Sequence, residues 1–229
     1  MYTYAFFKTP DLALTLPCGI AGAVQIIGNA QISALVEPTL NLELVQQDDQ
    51  QLVQAVLTHD RVICDLFWQT AILPLRFGTW FASLDSLLAH LTTNQSVYLL
   101  KLTQLAGKAE YLLKLVPQDR TEAPLAPELK GKDYFLAKKQ LYVAQVAAQT
   151  QQAQQLDQLL ALIRETYPLH YHHAVNADGP PADHQKIYLL IDCHHEADLC
   201  NHLQQWQDRS AHWKLTLGDA LPPYHFVSD

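Results

Sequence analysis

Hydrophobic and polar positions along the chain divide it into a strand-rich opening, a run of helices and a second mixed stretch. Residues 2–7 (YTYAFF) form an aromatic block with no charged break, and residues 23–27 are short and β-branched between Gly22 and Gly28. Residues 31–37 (QISALVE) stop before Pro38, so three strands are predicted in the first forty positions. Asp48 and Asp49 supply N-cap chemistry for a helix whose apolar positions are Leu52, Val53, Val56 and Leu57. A separate helix is predicted from about residue 61 to 69. Residues 71–76 (AILPLR) return to extended structure, with Pro74 marking an edge or a strand end. Ser83 caps a helix bearing Leu84, Leu87, Leu88 and Leu91. Another helix runs from about 95 to 106, with Gly107 where a C′ glycine belongs. Residues 110–116 (EYLLKLV) are a strand closed by Pro117.

Residues 117–130 hold three prolines and five charges, which makes them the best domain boundary. Beyond it a helix is predicted over roughly 132–166, free of Gly and Pro, with a stripe of Leu156, Leu159, Leu160 and Ile163. Eight of the 23 glutamines fall between Gln140 and Gln158; their alternation with Ala, Leu and Val reads as a solvated helix face. A strand over about 167–176, a turn (ADGPPAD), the strand 186–192 (KIYLLID), a helix over 196–209 and a strand over 213–217 complete the pattern. The expected class is α+β in two domains, residues 1–117 and 118–229. The second is a modified ferredoxin-like domain with a long helix before its β-β-α-β run and a Pro-rich tail after it.

Composition narrows function by exclusion. The net charge of −8 is spread over both halves, so neither is a basic module that would release counterions from a nucleic-acid backbone. No stretch approaches the roughly 20 apolar residues of a membrane span. The opening MYTYAFFKTP lacks the basic start and apolar run of a signal peptide, and four scattered cysteines form no disulfide framework, so a cytoplasmic protein is expected. There is no G-x-S-x-G, no phosphate-cradling glycine loop and no CxxC. The alternative is a metal- or thiol-dependent enzyme using His170, His172, His173, Cys193, His194, His195, Cys200 and His202. Its spacing is poor: on a strand His172 and His173 point to opposite faces.

Two segments stand out. In residues 74–79 (PLRFGT), Arg76 is placed to clamp a carboxylate or a partner's carbonyls from a rigid turn. The competing reading is structural: Phe77 anchors the turn, Gly78 supplies a positive φ and Thr79 caps the next segment. In the tail, Pro222 and Pro223 stiffen the chain while Tyr224 and Phe226 offer apolar anchors, and folding back across the molecule is favoured over projecting from it.

These features, in this order, resemble the gas vesicle protein F/L family over nearly the whole chain. The resemblance rests on YTYAFF, PLRFGT, Glu110–Lys114 as EYLLK after Gly107, GKDYFL at 131–136, KIYLLID, and Gly218 followed by Pro222-Pro223-Tyr224-His225-Phe226. One departure is the longer, polar approach GDAL before the prolines. The resemblance implies a minor structural or accessory protein of the gas vesicle, needed for its formation and binding the major shell protein and other accessory proteins during nucleation or assembly. It also implies two α+β domains, no cofactor, no metal, no catalytic residues, and a location in the cytoplasm at the gas vesicle. On that reading Arg76, Phe77, Gly78, Thr79, Pro222, Pro223, Tyr224 and Phe226 are the candidate interaction or structural motif. An exposed edge strand in either domain, together with the 76–79 turn, is the expected contact.

Overall fold

A computed structural model describes residues 1–118, 131–167, 171–174 and 185–227. Among the described residues helix makes up 48% and strand 24%, the expected mixed class. The chain forms two compact units, Met1–Glu110 with Leu190–Cys193 and Ala220–Asp229, and Tyr111–Leu189 with His194–Asp219. The tail thus belongs with the first unit and most of the strand after Gly107 with the second, whereas the sequence division put each on the other side. The 119–130 boundary segment and the ADGPPAD turn lie outside the described residues.

In the first unit, β1 (Tyr2–Lys8), β2 (Gln25–Gly28), β3 (Ile32–Glu37) and β4 (Ile72–Pro74) form an antiparallel sheet in the order β2-β3-β1-β4. A short α1 (Leu42–Val45) precedes α2 (Asp49–Phe67), and α3 (Leu84–Leu105) follows β4. Side chains of β1 alternate between two cores. Tyr2, Tyr4 and Phe7 pack with Val62, Ile63 and Leu66 of α2. Phe6 packs with Leu87, Leu91, Leu102 and Leu105 of α3. A strand covered on both faces has no reason to alternate, which explains the unbroken YTYAFF.

Both helices differ from expectation. Residues 49–67 and 84–105 are each one helix where two were predicted, since neither segment contains a Gly or Pro to end the first. Asp48 does cap α2, accepting from the N–H groups of Gln50 (2.8 Å) and Gln51 (3.0 Å). The predicted stripe, however, faces outward: Val53, Val56 and Leu57 are exposed, and the buried face is Ala55, His59, Val62, Ile63 and Leu66. In the N-terminal turns of α2, apolar spacing therefore does not report the core. Ser83 caps α3 as predicted, and the structure adds a reciprocal bond from the Ser83 N–H to the Ser86 hydroxyl, with Leu87 and Leu91 buried.

The second unit runs β-α-β-β-α-β: β5 (Lys108–Pro117), α4 (Lys132–Thr166), β6 (Tyr171–Ala174), β7 (Gln185–Asp192), α5 (Glu196–Asp208) and β8 (Trp213–Leu217). The sheet order is β6-β7-β5-β8, so the strand before Pro117 opens this sheet and is not part of the first. Its core joins Tyr111, Leu113, Leu115, Leu159, Ile163, Leu199, Trp206 and Trp213. The glutamine face of α4 is mostly solvated, but Gln155 accepts from the His212 N–H (3.1 Å) and the Gln152 carbonyl takes the Trp213 indole N–H (3.1 Å). Toward its N-terminus α4 exposes Phe135, Tyr142, Val143 and Val146.

The burial pattern of α2 is directly testable. Ile63→Ala should lower the free energy of unfolding by about 2–5 kcal/mol, and Leu57→Ala should change it by less than about 0.5 kcal/mol. Urea denaturation of both variants measures this; equal costs would refute the orientation of the helix.

Candidate functional site

Both unusual segments fall in the first unit and meet there. Residues 75–79 form a turn directly after the edge strand β4, fixed by hydrogen bonds at nearly every position. The Leu75 N–H donates to Tyr4 O (2.9 Å), Thr79 N–H to Arg76 O (3.1 Å) and Thr3 N–H to Thr79 O (3.0 Å). The Thr79 hydroxyl also donates to Arg76 O (2.7 Å). Gly78 has φ +88°, the left-handed region that a side chain disfavours. Phe77 lies edge-on to Tyr2 and His59, so it anchors the turn as the structural reading expects.

The fastener of this turn is His59, which sequence reasoning passed over. Its Nε2 lies 3.0 Å from the Leu75 carbonyl, an oxygen that can only accept, so Nε2 carries the proton. Its Nδ1 therefore accepts from the Tyr2 hydroxyl at 2.7 Å, and the Tyr2 oxygen receives the Gly78 N–H at 3.4 Å. Burial pushes the His59 imidazole below its usual range and the Tyr2 phenol above its own, which keeps both neutral in this arrangement. A histidine one helical turn from Val62 and Ile63 was the available signal; the exposed stripe at 53–57 masked it.

Two buried carboxylates, one on β3 and one on β5, each hold a loop or tail segment. Glu37, fully buried at the end of β3, accepts from the Tyr4 hydroxyl (2.5 Å) and the N–H groups of Ile20 (2.8 Å) and Ala21 (2.7 Å). A Cβ on Gly19 would overlap that carboxylate, so the loop closes over it in this form only with glycine there. Glu110, 1% exposed, accepts from the His225 N–H (2.8 Å) and pairs with His225 Nδ1 (2.7 Å).

Glu110 fixes the tail, which folds back as favoured. Leu221 and Glu110 exchange backbone hydrogen bonds (2.9 Å each). Pro222 and Pro223 are buried, and the Tyr224 hydroxyl donates to Asp60 of α2. Tyr224 packs on the α2-side core, while Phe226 and Val227 pack on the α3-side core, and Lys101 Nζ donates to Val227 O (2.9 Å). The tail therefore runs beside β4. Between it and the turn is a cavity of about 500 Å³ lined by Leu73, Pro74, Leu75, Arg76, Thr79, Tyr98 and Val227 among others. Arg76 is exposed, and its guanidinium makes no hydrogen bond or ion pair among the described residues. At β4 the tail lies across that cavity from the strand, and Pro74, which has no N–H, keeps this edge from extending a ladder.

Of the His/Cys cluster, His170 and the side chains of His172 and His173 lie outside the described residues. Among the described residues no group of three His, Cys, Asp or Glu side chains could hold a metal ion. His202 stacks on Trp206 with its Nδ1 at 3.0 Å from the Tyr167 hydroxyl. The Cys64 thiol is pushed up to about 11 by burial, with the nearby Asp60 charge adding to it, which removes it as a neutral-pH nucleophile.

The model of the family described as gas vesicle synthesis protein GvpL/GvpF matches residues 1–228. Two crystal structures share the fold. The gas vesicle protein GvpF from Anabaena sp. PCC7120 has a TM-score of 0.66 at 15% identity, over 100% of this chain and 95% of that one. GvpF from Microcystis aeruginosa has a TM-score of 0.65 at 15% identity, over 99% and 98%. No curated protein sequence matches the chain.

In the unfolded chain His59 titrates near the free imidazole value of about 6.5, and in the fold it titrates lower. Its contribution to stability is complete above that value and drains away as the pH falls below it. The stability difference between wild type and His59→Gln should therefore be largest at neutral pH and shrink toward pH 5, as read from urea unfolding across that range. Separately, His225→Ala leaves a buried carboxylate short of one partner and should cost about 1–3 kcal/mol, whereas substitution of exposed Asp11 should not.

Proposed function

The chain belongs to the GvpL/GvpF family of gas vesicle synthesis proteins, and from that premise we propose that it is a non-enzymatic assembly protein of the gas vesicle. It binds the major shell protein, and other accessory proteins, during nucleation or growth of the shell, from the cytoplasm. The observation that carries this reading is the family match across residues 1–228. Among the described residues no helix is long and apolar enough to cross a membrane.

The geometry supports recognition over chemistry. The 75–79 turn is rigid in its backbone and presents one uncommitted cation beside an apolar cavity. Val53, Val56 and Leu57 on α2, and Phe135, Tyr142 and Val143 on α4, are exposed apolar rows of the kind that mark protein contacts. The acidic net charge keeps such a surface dispersed. Among the candidate motif, Phe77, Gly78, Pro222, Pro223, Tyr224 and Phe226 build the site, and Arg76 meets the partner.

Pull-down of the purified chain on immobilised major shell protein tests the assignment. Saturable capture is expected. Absence of capture, at concentrations where the shell protein stays in solution, would leave only the fold in common with the family and overturn the assembly role.

A further inference from the structure

The cavity between the turn and the tail has a lopsided inventory of polar groups. Thr79 spends its hydroxyl on the Arg76 carbonyl (2.7 Å), and Tyr98 shares a hydrogen bond with His90 Nε2 (2.7 Å). Tyr224 is committed to Asp60, and His225 is paired with Glu110. That leaves the Arg76 guanidinium as the polar group lining the cavity without a partner among the described residues. The walls around it are apolar: Leu73, Pro74, Leu75 and Val227, with the ring of Tyr98. A volume of about 500 Å³ lies within the range of sites that enclose a small ligand or two side chains.

A planar cation over apolar walls selects a carboxylate carried on an apolar body, because the guanidinium fork pairs with two carboxylate oxygens at once. The strand edge adds a second preference. The Leu75 N–H is directed at Tyr4 and Leu73 lies opposite Phe6, so the alternation of an antiparallel pair turns the Pro74 carbonyl away from β1. Pro74 has no N–H, so this edge can accept one hydrogen bond from an incoming backbone but cannot extend a ladder. A short peptide fits these terms better than an added strand. Since the whole molecule carries −8, its general field does not attract an acidic segment, and selection falls to this one site.

We propose that the cavity binds a partner's peptide segment in which an Asp or Glu side chain is adjacent to a bulky apolar one, the carboxylate on Arg76 and the apolar group among Leu73, Leu75, Tyr98 and Val227. This deepens the assembly reading, on which the existence of such a partner rests, by naming the chemistry the partner presents.

The probes are acetyl-Phe-Glu-amide and acetyl-Phe-Gln-amide, titrated into the ¹⁵N-labelled full chain. The signals to monitor are the backbone amides of Gly78, Thr79 and Val227 and the Arg76 Nε–H. The Glu peptide should shift all four and bind at least about tenfold more tightly than the Gln peptide. Arg76→Gln should abolish that preference with no change in unfolding midpoint, and Arg76→Lys should restore it in part. Equal binding of the two peptides, a preference that survives Arg76→Gln, or no shift up to about 20 mM peptide would overturn the proposal. A parallel pull-down on the major shell protein separates the two readings. Capture by wild type and Arg76→Gln alike would sink this site and leave the assembly role standing. Peptide binding without shell-protein capture would do the reverse.

Discussion

The first unit is organised by the need to bury β1 on both faces. Tyr2 through Phe7 are all buried, and one face cannot be left to water without exposing either Tyr2, Tyr4 and Phe7 or Phe6. A layer of helix is therefore required on each side, which α2 and α3 supply. Burying tyrosines also buries hydroxyls, and each must find a partner or lose the hydrogen bonds it made with water. Tyr2 finds His59 and Tyr4 finds Glu37. Those partners then reach onward, His59 to the 75–79 turn and Glu37 to the 19–22 loop. The position of the candidate site is thus a consequence of how an aromatic strand is satisfied.

Glu37 and Glu110 solve the same problem at two places. Each is a carboxylate at most 1% exposed that accepts backbone N–H groups from a segment distant in sequence. A short irregular loop buries little apolar area, so apolar packing alone holds it weakly. Hydrogen bonds to a charged acceptor in a low-dielectric setting are stronger and directional, and a mispaired alternative leaves a buried charge exposed to its full desolvation cost. The tail and the 19–22 loop are consequently held in one register, not merely held close.

Strand and cap chemistry was legible in the sequence because it is local. QISALVE before Pro38, Asp48 and Ser83 as caps, Gly107 after a helix and the 132–166 helix all appear where read. What was not legible depended on partners far along the chain. Asp60 and Arg61 interrupt an apolar run without interrupting the helix, so α2 reads as two pieces. Val53, Val56 and Leu57 have core-like spacing yet are exposed, and a single histidine among apolar neighbours marks the true inner face. The EYLLK strand sits close in sequence to the first sheet but pairs with β8, a choice that only long-range pairing decides. At the site, Phe77, Gly78 and Thr79 could be assigned their turn roles from residue type; His59 and Glu110 carry no such local mark.

The structural reading of the PLRFGT turn supports the clamp proposed for it. Arg76 is held at its backbone by two hydrogen bonds to its own carbonyl from Thr79, between a Leu75 carbonyl fixed by His59 and a Phe77 ring fixed by Tyr2. Nothing comparable restrains its guanidinium. Ordering a flexible segment on binding costs free energy that a rigid one has already spent in folding. A side chain whose root is fixed and whose charged end is unspent is the arrangement that lowers that cost while leaving the strongest donor for the partner. The structural roles of Phe77, Gly78 and Thr79 are therefore what the proposed recognition by Arg76 depends on.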